Sequence, residues 1–134
     1  VYVVCAESLP KGALADPYVH CCVVEGEQHD SAAGTTMRTF SKVEPVWDHR
    51  CSLPIRRSLV DGEWQLPECS WLDFEVFYEP RSRPRGAADI LLGHCTMELA
   101  EAFTLIEDNP AEAAMPKPRK LYAPAGEGPY TELK

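Results

Sequence analysis

The stretch WLDFEVFYE (71–79) alternates apolar and polar side chains with a period of two. Alternation of this kind is typical of a β-strand that buries one face and exposes the other to water. The predicted inward face consists of Leu72, Phe74, Val76 and Tyr78, and the opposite face contains Asp73 and Glu75. The stretch therefore predicts a strand of a sheet that covers an apolar core.

Other short apolar segments lie on both sides of this strand. They predict strands at 1–6, 17–24, 35–43, 46–55 and 91–99, and a final hairpin over 120–134. The polar segment 25–34 is predicted to be a loop, and 109–120 a linker because it contains three prolines. One short connecting helix is predicted near 98–108, where good helix formers precede Asn109-Pro110. Many short strands separated by turns favour an all-β antiparallel sandwich or barrel.

The length and composition describe a single domain. The chain has 134 residues, of which 45% are hydrophobic, enough for one domain with its own core. It contains no apolar run of the roughly 18 residues that a bilayer-spanning helix requires. It has no initiator methionine and begins inside an apolar run. We therefore predict one domain over 1–134, excised from a larger protein.

Six cysteines are many for this length: Cys5, Cys21, Cys22, Cys51, Cys69 and Cys95. Most lie in apolar strand segments, where cysteine behaves as a small buried apolar residue. A domain of this size does not need disulfides for stability. We expect reduced thiols and a cytosolic location; the even number leaves a set of disulfides as the alternative.

Patterns that indicate catalysis or metal binding are missing from the sequence. It contains neither a glycine-rich phosphate loop nor a G-x-S-x-G motif. It has no C-x-x-C or H-x-x-x-H spacing, although His20 could pair with His49 or Cys51 across two strands to bind zinc. A net charge of −8 without interleaved basic and aromatic residues does not suit nucleic acid. We predict a non-enzymatic protein without a cofactor, a metal or a nucleic-acid partner.

Five segments, in order, resemble the C2 domain family, whose β-sandwich docks on membranes, often through calcium. The segment ADPYV (15–19) is similar to the family's Ser-Asp-Pro-Tyr-Val. The other four are VYVVCAESLP (1–10), EPVWDHRCSL (44–53), LDFEVFYE (72–79) and DILLGHCTMEL (89–99). The resemblance implies an eight-stranded antiparallel Greek-key sandwich. The order of the segments resembles the family's type II topology, which the loss of an upstream strand by truncation would mimic. An unrelated immunoglobulin-like sandwich is the alternative, but it would not need Asp-Pro-Tyr-Val before a strand.

The resemblance also implies where calcium would bind, because C2 domains supply about five acids from two loops. Matched position by position, this sequence lacks the acids at Pro10-Lys11, Tyr78 and Pro80 and retains Asp16 and Asp89. Calcium takes six to eight oxygen ligands, so two carboxylates are too few. We expect no metal site, and a structural role for Asp16 in the turn before its strand.

The stretch EPRSRPRG (79–86) stands where a calcium-binding member would have acids. Its arginines, Arg81, Arg83 and Arg85, would permanently supply the positive charge that bound calcium provides elsewhere. By the same resemblance, Lys11 lies on the same rim, and Leu14 would insert at the membrane interface. The sequence thus predicts a cytoplasmic, calcium-independent module that binds anionic phospholipid membranes peripherally, and weakly when alone.

The alternative function is a C2-fold protein-interaction or scaffold domain that does not bind lipid. Its acidic surfaces would suit a basic protein partner. They consist of Asp73 and Glu75 on one strand and of Glu98, Glu101, Glu107, Asp108 and Glu112 near the predicted helix.

Overall fold

The computed structural model describes residues 1–7, 9, 16–25, 28–35, 44–67, 69–79, 88–113, 118–122 and 129–133. The strands are β1 (Tyr2–Glu7), β2 (Asp16–Glu25), β3 (Gln28–Thr35), β4 (Val46–Arg50), β5 (Ser58–Val60), β6 (Glu63–Gln65), β7 (Ser70–Glu79), β8 (Ile90–Glu98), β9 (Arg119–Tyr122) and β10 (Pro129–Leu133). The helices are α1 (Leu99–Asp108) and α2 (Pro110–Ala113). Within these ranges no helix is long and apolar enough to cross a bilayer.

The main strands form two packed antiparallel layers. Their hydrogen-bonded order is β3-β2-β7-β8-β9-β10-β1-β4. The layers meet where His94 of β8 pairs with Tyr122 of β9. The core between them is built from both layers, with Val19, Val23, Phe74 and Val76 from one and Val3, Trp47 and Leu121 from the other. The predicted all-β antiparallel sandwich is confirmed.

The position of the last strand identifies the topology. Strand β10 pairs with β9 on one side and with β1 on the other. The type II topology that the resemblance implied would place the last strand of the sequence beside the first, and β10 lies there.

The alternating segment 71–79 lies in strand β7. Leu72, Phe74 and Val76 are buried, and Tyr78 packs partly buried against the same core. Asp73 and Glu75 alternate with them and are half-buried on the other face. The two-residue period predicted this division correctly, because successive side chains of a strand point to opposite faces.

Two local strand and loop predictions differ from the structure, and a third falls outside the described residues. The predicted loop at 25–34 contains β3, which pairs with β2 from His20–Thr35 to Glu25–Gln28. Main-chain pairing along the edge of a long strand here overrides the weak strand propensity of Asp, Ser, Ala and Gly. The strand predicted at 46–55 ends at Arg50, although Cys51 still reaches the core. The strand predicted at 35–43 lies outside the described residues except for Thr35.

The helical region also differs from its prediction in two details. Helix α1 begins at Leu99, since Glu98 still belongs to β8. The predicted linker contains one helical turn, α2, which begins at Pro110. Proline suits the first position of a helix because its missing N–H would have no partner there. The predicted final hairpin is confirmed as β9 and β10.

All six cysteines fall in the described ranges, and most are buried as predicted. Cys21, Cys22, Cys51 and Cys95 are buried, Cys5 is half-buried and Cys69 is exposed; all six are free thiols. Burial raises the pKa of both Cys21 and Cys95 to about 12, and in Cys21 the neighbouring Cys51 thiol adds to this effect. These thiols are therefore neutral in the folded protein near neutral pH.

Candidate functional site

One end of the sandwich brings together described residues that flank the segments singled out in the sequence. Strand β2 begins there at Asp16, which pairs in register with Glu79, the last residue of β7. Strand β8 begins next to them at Ile90, the register partner of Tyr78. We call this end, together with the segments 8–15, 36–43 and 80–87 that connect to it, the loop end.

Asp16 and Asp89 both lie at the loop end, and both are half-buried. The Tyr18 hydroxyl donates a hydrogen bond to Oδ2 of Asp89 over 2.6 Å. The Tyr18 ring stacks on Phe77, with ring centroids 5.7 Å apart. The distance falls in the range for a hydroxyl bound to a charged carboxylate, so Asp89 is held against the sheet by a strong hydrogen bond.

The loop end has few ligands for a divalent cation. The connecting segments 8–15 and 80–87 contain no acidic residue. Tyr78, which the sequence resemblance aligned with an acid of the family, packs against the core. Among the residues that the structure describes, no group of three His, Cys, Asp or Glu side chains could hold a metal ion. Asp16 and Asp89 alone cannot replace the hydration shell of calcium.

The zinc alternative that paired His20 with Cys51 is wrong. Nδ1 of His20 lies 3.3 Å from Oε2 of Glu75, on the outer face of the sheet. Cys51 belongs to the core, where it lies beside Cys21, the next residue of β2 after His20. Neighbouring residues of a strand point to opposite faces, so His20 and Cys51 are on different sides of the sheet.

The predicted membrane-contact residues are Arg81, Arg83, Arg85, Lys11 and Leu14, and all five lie outside the described residues. Their flanking residues are described. Segment 8–15 leads from the end of β1 to Asp16, and 80–87 follows Glu79. Both segments therefore start and finish at the loop end.

A third connection at this end was not part of the sequence prediction for the site. Segment 36–43 joins the end of β3 to Glu44 and Pro45, and the carbonyl of Pro45 accepts a hydrogen bond from the Ala6 amide at 3.0 Å. It contains Arg38 and Lys42 and no acidic residue. Only the strand order reveals that it begins and finishes at the same end as the arginine-rich segment.

Charge is segregated along the molecule. The three connecting segments of the loop end contain six basic and no acidic residues, and the further connection 123–128 adds one acid, Glu127. At the opposite end, segments 51–69 and 99–113 contain seven acidic and two basic residues. The connections of the loop end are therefore basic and those of the opposite end acidic, while the strand ends at the loop end also carry acids, among them Asp16, Glu79 and Asp89.

Comparisons with known proteins identify the fold. No protein-family model matches the sequence, and no curated protein matches it. Among solved structures, C2 domain A of plant extended synaptotagmin 1 is similar over 98% of this chain and 85% of that one, with a TM-score of 0.57 and 15% identity. A structure of extended synaptotagmin 2, containing its SMP domain and C2 domains A and B, is similar over 98% of this chain and 24% of that one, with a TM-score of 0.55 and 19% identity.

A third similar structure, C2 domain A of RIM from Drosophila, has 21% identity over 74% of this chain and 72% of that one, with a TM-score of 0.49. The similarity to the two extended synaptotagmin structures covers nearly the whole chain and is consistent with the two-layered sandwich described above. This chain has the fold of a C2 domain.

Proposed function

We propose that this chain is a non-enzymatic, calcium-independent C2-fold module that binds anionic phospholipid membranes peripherally through its loop end. The observation that most strongly supports this proposal is the segregation of charge. Six basic residues and no acid occur in the three connections whose flanking residues meet at this end. An anionic leaflet attracts these basic connections and repels the acidic connections of the opposite end.

Calcium independence is supported by the side chains at the same end. Asp89 accepts the hydrogen bond from Tyr18, and Tyr78 packs against the core. A calcium-dependent domain needs the ion to make its loops positive, whereas arginines are positive at every physiological pH. Arginine also binds phosphate oxygens with two parallel hydrogen bonds, which favours lipid phosphates as ligands.

The expected affinity is modest. Each basic residue near an anionic leaflet contributes about 1 kcal/mol, so four of them correspond to a roughly millimolar dissociation constant. Screening over about 8–10 Å limits the repulsion from the acidic end to the nearest surface. The isolated module would bind weakly and would gain avidity in a larger assembly.

Co-sedimentation with liposomes tests the proposal. The wild type should sediment with phosphatidylserine liposomes equally with and without calcium, and less with phosphatidylcholine alone. The triple change Arg81→Ala, Arg83→Ala and Arg85→Ala should remove about 3 kcal/mol, or about a hundredfold in partitioning. This loss should shrink as the salt concentration rises.

A charge-matched control separates a local effect from net charge. The triple change Arg50→Ala, Arg56→Ala and Lys120→Ala removes three exposed cations from outside the loop end. It should leave sedimentation nearly unchanged. The lipid proposal is wrong if the two triple variants behave alike, or if the wild type sediments with no lipid tested.

A protein-interaction function is the second candidate, and a specific observation favours it. The end opposite the loop end is acidic and exposes large apolar side chains, among them Leu59 and Trp64. The two functions use opposite ends of the sandwich, so one chain can have both.

A further inference from the structure

The β5–β6 hairpin stands apart from the eight-stranded sheet. It forms its own two-stranded sheet, in which Leu59 pairs with Trp64 and Val60 with Glu63. Its turn residues, Asp61 and Gly62, both have positive φ angles, 52° and 85°. This is the two-residue turn that Asp-Gly favours, because its twist matches that of the strands it joins. The hairpin is therefore a tight, preformed element.

The hairpin presents apolar side chains to solvent. Trp64 is 65% exposed, Leu59 60% and Val60 42%. Leu59 and Trp64 are directly opposite each other, so their side chains share one face of the hairpin. A tryptophan beside a leucine on a rigid, exposed element has the composition of an interaction surface, since tryptophan is enriched among the residues that dominate binding energy.

The base of the hairpin lies against helix α1. The guanidinium carbon of Arg57, the residue before β5, is 4.1 Å from the centre of the Phe103 ring. Leu59 is two residues further, about 7 Å along the strand. Helix α1 adds an exposed apolar residue of its own, Ile106, at 52%. The hairpin and the exposed side of α1 thus form neighbouring parts of one end of the molecule.

The charge of this surface is negative. The hairpin, 58–65, contains Asp61 and Glu63 and no basic residue. Helix α1 contains Glu101, Glu107 and Asp108 and no basic residue, and Glu101 forms an ion pair of 2.6 Å with Arg119. The two arginines that precede the hairpin have partners, since Arg57 covers Phe103 and Arg56 lies 4.0 Å from Glu25. The hairpin and α1 together contain five acids, against the two arginines that precede the hairpin.

We propose that the β5–β6 hairpin is a docking site for a basic segment of a partner protein. An apolar side chain of that segment packs against Leu59 and Trp64, and its lysine or arginine residues face Glu107 and Asp108 of α1. Charge complementarity selects this occupant. An anionic membrane would be repelled by the acids on the hairpin and on α1, whereas a basic peptide is attracted by them. This site is independent of the lipid-binding loop end.

Selection from a phage-displayed library of random peptides on the immobilised protein tests the proposal. We expect the selected peptides to combine lysine or arginine with a large apolar residue. For a synthetic peptide of the selected sequence, fluorescence polarisation should detect a loss of about tenfold or more in affinity for Trp64→Ser. The charge reversal Glu107→Lys with Asp108→Lys should also weaken binding, and added salt should weaken binding by the wild type.

The change Val46→Ser is the matched control, because Val46 is 59% exposed and lies on β4 at the other end of the sandwich. It should bind the peptide like the wild type. Circular dichroism verifies the fold of each variant; if Trp64→Ser unfolds, the charge reversal on the surface is the deciding variant.

Four results would overturn the proposal. They are selected peptides without basic residues, equal affinities of the wild type, Trp64→Ser and the charge reversal, loss of liposome binding in Trp64→Ser, and concentration-dependent self-association that Trp64→Ser abolishes. The third would make a membrane the occupant, and the fourth a second copy of this chain. Arginine changes at the loop end should leave peptide binding intact, so failure here and failure of the lipid proposal are distinguishable.

Discussion

Tyr18 and Asp89 are 71 positions apart in the sequence, and a hydrogen bond of 2.6 Å joins the tyrosine hydroxyl to the carboxylate. Tyr18 belongs to β2, and Asp89 immediately precedes β8, with β7 between these strands in the sheet. The contact crosses three strands at the loop end. The hydrogen bond fixes the position of Asp89, the residue between the arginine-rich connection and β8.

Removing this hydrogen bond should destabilise the protein measurably. Tyr18→Phe keeps the ring that stacks on Phe77 and removes only the hydroxyl. We expect a loss of about 1.5–3 kcal/mol in the free energy of unfolding, typical of a hydrogen bond to a charged group. Urea denaturation measures the change. Tyr122→Phe, at a tyrosine that is 46% exposed, should stay within about 0.5 kcal/mol of the wild type. Equal losses of stability in Tyr18→Phe and Tyr122→Phe would show that the hydrogen bond from Tyr18 to Asp89 does not stabilise the protein.

A second long-range hydrogen bond connects the two layers. The indole Nε1 of Trp47 donates to the carbonyl of Pro17 at 3.1 Å, and this bond is buried. Trp47→Phe removes the donor and some core volume, so we expect a loss of about 2–4 kcal/mol. Trp64→Phe is the control, since Trp64 is 65% exposed. If thermal unfolding shows equal shifts for the two variants, the buried bond does not stabilise the sandwich.

Calcium should not stabilise the protein. The two carboxylates Asp16 and Asp89 supply too few oxygens, and segments 8–15 and 80–87 add no acid. Melting curves in millimolar calcium and in a chelator should superimpose, and calorimetric titration should detect no binding heat. A micromolar site would show that residues beyond the family's positions complete the coordination sphere.

The buried thiols should make stability fall at alkaline pH. The folded pKa of Cys21 and of Cys95 is about 12, raised by burial from an ordinary value of 9.0. The contribution of these thiols to the free energy of unfolding is fully present below pH 9. Above pH 9 the unfolded chain loses protons that the folded chain retains, so this contribution falls as the pH rises towards 12. Denaturation between about pH 8 and about pH 10.5 should show a smaller slope for Cys95→Ala than for the wild type. If Cys69→Ala, at the exposed cysteine, reduced the slope as much as Cys95→Ala does, this explanation would be contradicted.

The turn of the β5–β6 hairpin should depend on glycine. Gly62 has a φ of 85°, and a Cβ added there would meet nothing within 4 Å, so a substitution acts through backbone strain alone. Gly62→Ala should cost about 1 kcal/mol of local stability, seen as roughly fivefold faster amide exchange in the hairpin. Asp61→Asn should retain protection, because asparagine also tolerates positive φ. Unchanged exchange in Gly62→Ala would argue against a strained turn.

Some features could be read directly from the sequence because their cause is local. The two-residue period of 71–79 predicted the buried face of β7, since alternation along a strand needs no knowledge of its neighbours. The Asp-Gly pair at 61–62, flanked by short apolar segments, is an equally local signal for the β5–β6 hairpin, which was not predicted. The helix prediction was correct except at its first residue, where pairing of Glu98 with Trp71 extends β8.

Strand β3 could not be predicted from its local sequence. Its residues favour a loop when considered alone, and pairing with β2 makes them a strand because the unsatisfied main-chain groups of a long edge need partners. The separation of His20 from Cys51 has a similar origin, since it depends on which face of β2 meets the opposite layer.

The sequence by itself determined the alternating strands and the resemblance to C2 domains, because both follow from residue types at fixed spacing. Only the tertiary structure decided which distant residues meet. It joined Tyr18 to Asp89 and Trp47 to Pro17, and it brought the flanking residues of three basic connections to one end of the sandwich. The order of paired strands sets these contacts, and that order minimises the free energy of the whole core, which no single segment encodes.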